Sequence, residues 1–311
     1  MEFKHVSVLF DECIELLNIK KDGVYIDGTL GGGGHAAGIC ERLSKDGMLI
    51  GIDRDKDALV AAEKILQAYP CKKKFIKSNY TEVEEVLAEL KIDKADGAIL
   101  DLGVSSFQLD NPERGFSYMN DAFPDMRMDA EFGFSAYDVI NTYTAGELTD
   151  IIRTYGEEKW ASRIASFIVN ARANKPIDST EELVSIIKSA VPAAARRDGP
   201  HPAKRTFQAI RIEVNDEIKG LEKAIPAFCN VLAKSGRLCV ISFHSLEDRI
   251  VKDVFNARTS SCTCPKSLPL CVCGQKADMK KITKKPIISN DEELSINPRA
   301  RSAKLRVVEK R

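Results

Sequence analysis

The chain has 311 residues, 44% hydrophobic and 30% charged, which is the composition of a globular protein with a sizeable core and allows about two domains. No run approaches the roughly 18 apolar residues of a membrane span, and Met1-Glu-Phe-Lys-His5 does not open a signal peptide, so the expected location is a reducing cytoplasm. The 46 basic and 46 acidic side chains cancel, so global charge announces no nucleic-acid partner; locally, residues 276–311 and 194–212 are both rich in Lys and Arg, as a polyanion-binding face would be.

In chain order, residues 24–26 read as a short strand ending at Asp27 and a glycine cluster, with a helix over about 35–43. A second strand, 48–52, ends at Asp53, and Ala58, Ala61, Ala62, Ile65 and Leu66 then recur at helical spacing. Strand 74–76 and a helix marked by Val83, Val86, Leu87 and Leu90 precede a fourth strand, 98–100, which ends at Asp101. This alternation predicts a parallel sheet with helices on both faces and right-handed crossovers. Residues 107–138 are rich in Pro, Gly, Asp and Met without clear period. The chain then turns helical, with Trp160, Ile164, Phe167, Ile168 and Ala171 on one face and Ser179-x-x-Glu182 as a capping box. After a basic loop, one long helical pattern runs through Phe207, Ile210, Val214, Ile218, Leu221 and Ile225. Strand 238–241, a further helix and closing strands at 282–288 and 304–308 complete the pattern. The expected architecture is one discontinuous α/β domain, residues 1–106 and 205–311, interrupted by a helical insertion over 107–204.

Asp27-Gly-Thr-Leu-Gly-Gly-Gly-Gly-His35 follows a strand and opens a helix. Its glycines let the backbone turn tightly and approach a ligand, at the carboxyl edge where open α/β sheets bind nucleotides. Gly31-x-Gly33-x-x-Ala36, with Asp53 beyond it, satisfies the dinucleotide fingerprint. The same features suit S-adenosylmethionine, with the acid at the second strand end on the ribose. The loop alone leaves NAD and S-adenosylmethionine both open.

Later motifs separate them. Asp101-Leu-Gly-Val-Ser-Ser106, Arg114-Gly-Phe-Ser, Asp125-Met-Arg-Met-Asp129, Thr154-Tyr-Gly-Glu-Glu158, His201-Pro, Arg205-Thr-Phe-Gln-Ala209, Ser242-Phe-His-Ser-Leu-Glu-Asp-Arg249 and Asn297-Pro-Arg-Ala-Arg-Ser302 follow in order, after His5-x-x-Val-Leu near the start. Together they closely resemble the RsmH (MraW) family over almost the whole chain. The resemblance implies a Rossmann-like class I S-adenosylmethionine-dependent methyltransferase sheet with a helical inserted domain. It implies methylation of the N4 amino group of a cytidine in 16S rRNA, at the decoding region of the small ribosomal subunit. It also implies cofactor contacts at Gly33, Gly34, His35, Asp53, Tyr80, Asp101 and Gln108. Tyr80 stands where Phe is common, and Ala36 where a small hydroxyl residue is often found, which would remove one cofactor hydrogen bond.

Methyl transfer from a sulfonium mainly needs alignment and exclusion of water, and an acceptor for the amino protons would localise the lone pair of a cytosine amine. Asp101 is the first candidate near the reacting centre, on the methionyl amine, the cytosine amine or both. Asp27 and Gly31 shape the loop, Asp53 binds the ribose hydroxyls, Tyr80 stacks on adenine, and Gln108 suits either ligand. Ser105, Ser106 and Ser242 position the base edge, and His244 contacts the base or RNA. Arg196, Arg197, Lys204 and Arg205 contact phosphates, and Phe116 helps hold a flipped base. Each has a plainer alternative: a turn acid, a core aromatic, a structural histidine, a solvated loop. Two rival functions stand beside methyl transfer, an NAD-dependent dehydrogenase and a non-catalytic RNA-binding factor. Cys262-x-Cys264 and Cys271-x-Cys273, six residues apart, could complete a tetrahedral zinc site; reduced thiols and disulfides are the alternatives. A homodimer is left open.

Overall fold

The computed structural model describes residues 7–131, 133–197, 199–262, 264, 272–274 and 276–311, with Ser106 described in its backbone alone. Seven strands form one sheet: β1 (Val24–Asp27), β2 (Met48–Asp53), β3 (Lys72–Lys77), β4 (Ala95–Asp101), β5 (Leu232–Ser242), β6 (Met279–Lys281) and β7 (Lys304–Lys310). Their order is β3-β2-β1-β4-β5-β7-β6. The first five run parallel, and β7 enters antiparallel between β5 and β6. This is the Rossmann-like sheet expected from the alternation of strands and helices.

Strands covered on both faces need apolar residues at every position, because successive side chains point to opposite sides. Leu100 and Val240 accordingly enter one core with Ile26, Ile50 and Ile52, while Ile99 and Ile241 enter another with Tyr25 and Leu49. At the sheet edge, β3 reads Lys-Lys-Lys-Phe-Ile-Lys, and its lysines keep the open strand edge from pairing with another chain.

Two expected elements differ. The strand expected at 282–288 is instead β6, and Ile287 makes a single bridge to Leu305. Pro286 interrupts that stretch, since it carries no N–H for a ladder. The long helical pattern is two helices, Lys204–Asn215 and Glu217–Val231, separated at Asp216, which is left-handed at φ 50°. Asp tolerates that conformation, and a hydrophobic period that continues across the break hides it.

The chain forms two compact units, residues 1–103 with 218–311, and residues 104–217. The second unit ends later than the 204 expected, because helix Lys204–Asn215 buries Phe207, Ala209 and Ile210 in the insertion's own core. The aperiodic stretch before it is ordered by polar stitching. Arg114 Nη2 donates to the carbonyls of Arg127 and Met128, both at 3.0 Å. Asn215 donates to the Met126 carbonyl and accepts from the Met128 amide, both at 2.8 Å. Among the described residues, no helix is long and apolar enough to cross a membrane.

Candidate cofactor-binding site

Three neighbouring parallel strands, in the order β2-β1-β4, each end in an aspartate: Asp53, Asp27 and Asp101. Parallel strands present their carboxyl ends at one edge, and the strand order reverses between β1 and β4, where open α/β sheets bind their ligands. The glycine loop is laid across this edge by its backbone. Gly28 N–H donates to the Ile99 carbonyl at 3.0 Å and Leu30 N–H to the Ile52 carbonyl at 3.1 Å. Gly31 N–H donates to Asp53 Oδ2 at 2.8 Å, and Asp55 N–H to Oδ1 at 2.9 Å. Thr29 joins the other two acids: its N–H donates to Asp27 Oδ1 at 3.2 Å, and its Oγ1 accepts from the Asp101 amide at 2.6 Å.

Helix Gly34–Arg42 begins behind the loop. Gly33, at φ 79°, makes the turn in a left-handed conformation that a side chain would strain. A Cβ on Gly34 would stand 1.9 Å from Ser7 Oγ. His35 Nε2 lies 3.0 Å from the Val8 carbonyl, which can only accept, so Nε2 carries the hydrogen. The other ring nitrogen, Nδ1, is 3.6 Å from Asp101 Oδ2.

All three carboxyls are raised from their ordinary values. Burial pushes Asp27, 2% exposed, up to about 7, and the charge of Asp53 adds to it. Burial also raises Asp53, against the lowering effect of the Asp55 and Gly31 amides. Asp101 is raised well above its ordinary value by burial first, then by the charges of Asp27 and Glu247. Its Oδ1 is buried with no hydrogen-bond partner among the described residues. His35 thus lies between the Val8 carbonyl and Asp101. Among the described residues no lysine or arginine pairs with these acids within 4 Å, so the floor of the crevice favours a cationic ligand.

The remaining expected residues are placed as follows. Tyr80 opens the turn after β3 and is half-buried against the core. Ser242 ends β5, but it is 2% exposed and its hydroxyl donates to the Lys304 carbonyl at 3.5 Å. His244 caps helix Ser245–Thr259: its Nδ1 accepts from the Glu247 amide at 3.4 Å, and its Nε2 lies 3.1 Å from Glu247 Oε1. The Ser242 hydroxyl and His244 Nδ1 are engaged in local structure, while His244 Nε2 is buried without a hydrogen-bond partner among the described residues. Ser105 and Gln108 belong to the insertion and cap its first helix reciprocally, at 3.2 and 3.1 Å; the backbone of Ser106 starts that helix. Arg196, Arg197, Lys204 and Arg205 are exposed on the insertion, although Arg205 Nη1 already donates to the Glu157 carbonyl at 2.9 Å. Phe116, expected beside a flipped base, is instead 6% exposed and packs in the insertion's core. Exposed aromatics lie elsewhere in that unit, at Phe107, Phe123 and Phe134. Of the four clustered cysteines, Cys271 lies outside the described residues, as does His5 of the first motif.

Sequence reasoning passed over Thr29 and Glu247. The signal for Glu247 was its place three residues after His244, the spacing of a capping box.

The family model described as the MraW methylase family matches residues 2–311. The protein of Clostridioides difficile (strain 630) named ribosomal RNA small subunit methyltransferase H is 56% identical over 310 residues, covering 100% of both chains. The protein of the same name from Ruminiclostridium cellulolyticum (strain ATCC 35319 / DSM 5812 / JCM 6584 / H10) is 54% identical over 312 residues, again covering 100% of both.

Proposed function

The chain belongs to the MraW methylase family, and from that premise we propose that it transfers the methyl group of S-adenosylmethionine to the N4 amino group of a cytidine in 16S rRNA, at the decoding region of the small ribosomal subunit. The observation that carries the choice of cofactor is the row of Asp27, Asp53 and Asp101 at adjoining strand ends, unpaired with lysine or arginine among the described residues. The ribosomal target is supported by the names of the two full-length relatives. The cytosine and its N4 atom rest on the resemblance of the ordered motifs.

When bound, S-adenosylmethionine supplies an electrophilic methyl on a cationic sulfur. Asp53 is fixed by two backbone amides, and each of its oxygens keeps lone-pair capacity for a ribose hydroxyl. Gly31 and Gly33 bring backbone rather than side chain to the ligand, and Tyr80 offers a half-buried ring to adenine. Asp101 is oriented by the β4 backbone and Thr29, with His35 alongside. Its unpartnered Oδ1 can accept from an amine, and a cation beside it would favour the ionised form against the upward push of burial. The resemblance assigns Gln108 to the cofactor as well. The four exposed cations of the insertion would grip phosphates, and Phe107, Phe123 and Phe134 would stack on splayed bases.

The test is radiolabelled methyl transfer to small subunits from a strain lacking this methylation, followed by nucleoside analysis. N4-methylated cytidine is expected, and the Asp101→Ala variant should abolish transfer while still folding. Label on another base would overturn the target, and near-normal turnover by the variant would remove Asp101 from the site.

A further inference from the structure

The cysteine-rich stretch between helix Ser245–Thr259 and β6 takes no part in the site described above. We propose that Cys262, Cys264 and Cys273 hold one structural zinc ion. Their three sulfurs lie within 4.8 Å of one another, and those of Cys262 and Cys273 are 3.9 Å apart. Sulfurs at about 2.3 Å from a tetrahedral zinc stand about 3.8 Å from each other, so the cluster is within about an ångström of ligand spacing. A disulfide needs a separation of about 2 Å and would leave the third thiol unused.

The backbone holds these sulfurs in place. Cys264 N–H donates to Cys262 Sγ, and Val272 N–H donates to Cys264 Sγ, both at 3.4 Å. Amide donors on sulfur orient it, as outer-shell hydrogen bonds do at metal centres. The other cysteines of the chain contrast with these. Cys13, Cys40, Cys71, Cys229 and Cys239 are buried, and burial raises the thiols of Cys13, Cys40 and Cys229, which keeps them protonated. The clustered three are exposed or half-exposed, so an ion can reach them. Soft sulfur donors select zinc over magnesium or calcium.

The ion would tie residue 273 back to residue 262 and so constrain the excursion that leads into β6. No described catalytic candidate lies in it, so the role is structural.

The full-length chain, expressed without a metal-binding tag and purified without added zinc, should carry about one zinc per chain by elemental analysis. Exchange with cobalt(II) should give the visible bands of a tetrahedral site and a thiolate-to-cobalt charge-transfer band with the intensity of at least three thiolates. The Cys262→Ser/Cys264→Ser/Cys273→Ser variant should lose the zinc yet still bind S-adenosylmethionine. Three results would overturn the proposal: metal-free protein that also gives no charge-transfer band on cobalt addition, a band worth fewer than three thiolates, or full zinc content in the triple variant. The cobalt readout uses the unsubstituted chain, so it stands even where the variant fails to fold.

Discussion

Replacing Asp27 with Asn probes the acidic floor most directly. The side chain is buried, its shape is kept by Asn, and the amide oxygen can still accept from Thr29 N–H. Only the ability to ionise is removed. The folded-state carboxyl is raised from 3.8 to about 7, so its ionisation costs more in the folded chain than in the unfolded one. The penalty is absent below the unfolded value and grows as pH rises, levelling off above the folded value. At about 1.4 kcal/mol per pKa unit, moving from about pH 5 to about pH 8 should cost the cofactor-free protein about 2–3 kcal/mol through Asp27 alone. Asp53 and Asp101 are raised as well and act with the same sign. Urea unfolding of the parent and the Asp27→Asn variant at both pH values measures the difference. The variant should lose at least about 2–3 kcal/mol less stability across that interval, because it no longer ionises at position 27 and also relieves the repulsion felt by Asp101. Equal pH dependence in the two proteins would refute a strongly raised Asp27.

The same acids make cofactor affinity depend on pH: calorimetry should show S-adenosylmethionine binding more tightly as pH rises toward about 7, with proton release, because a cation favours the ionised carboxyls. Gly33→Ala forces a side chain into a left-handed position at a cost of about 1–2 kcal/mol, and it sets a Cβ 3.1 Å from that of Ala62. Cofactor affinity should fall by about tenfold while circular dichroism stays unchanged. Replacing Arg196, Arg197, Lys204 and Arg205 together with Ala should flatten the salt dependence of RNA binding by about 0.7–0.9 in log–log slope for each phosphate no longer neutralised. An unchanged slope would leave those exposed side chains without an RNA role.

Much of the site was legible because its determinants are local. A short apolar strand that stops at an acid, followed by glycines and a helix, needs only neighbouring residues to specify it, and the alternation of such units dictates a parallel sheet. So Asp27, Asp53 and Asp101 could be assigned to strand ends before any contact was known. Two things needed the folded chain. One was the competition for polar side chains. Ser242, His244, Ser105 and Gln108 all have the chemistry to meet a ligand, and each also makes a hydrogen bond to a backbone group a few residues away or across the sheet. The other was the break at Asp216, which periodicity runs straight through and which Asn215 secures by bonding to a loop 89 residues earlier in the chain. By itself, the sequence determined which segments become strand, turn and helix, because those preferences act over a few residues. Only the tertiary structure decided which carboxyls are crowded together and therefore raised, because desolvation and charge repulsion depend on what packs around a group from distant parts of the chain.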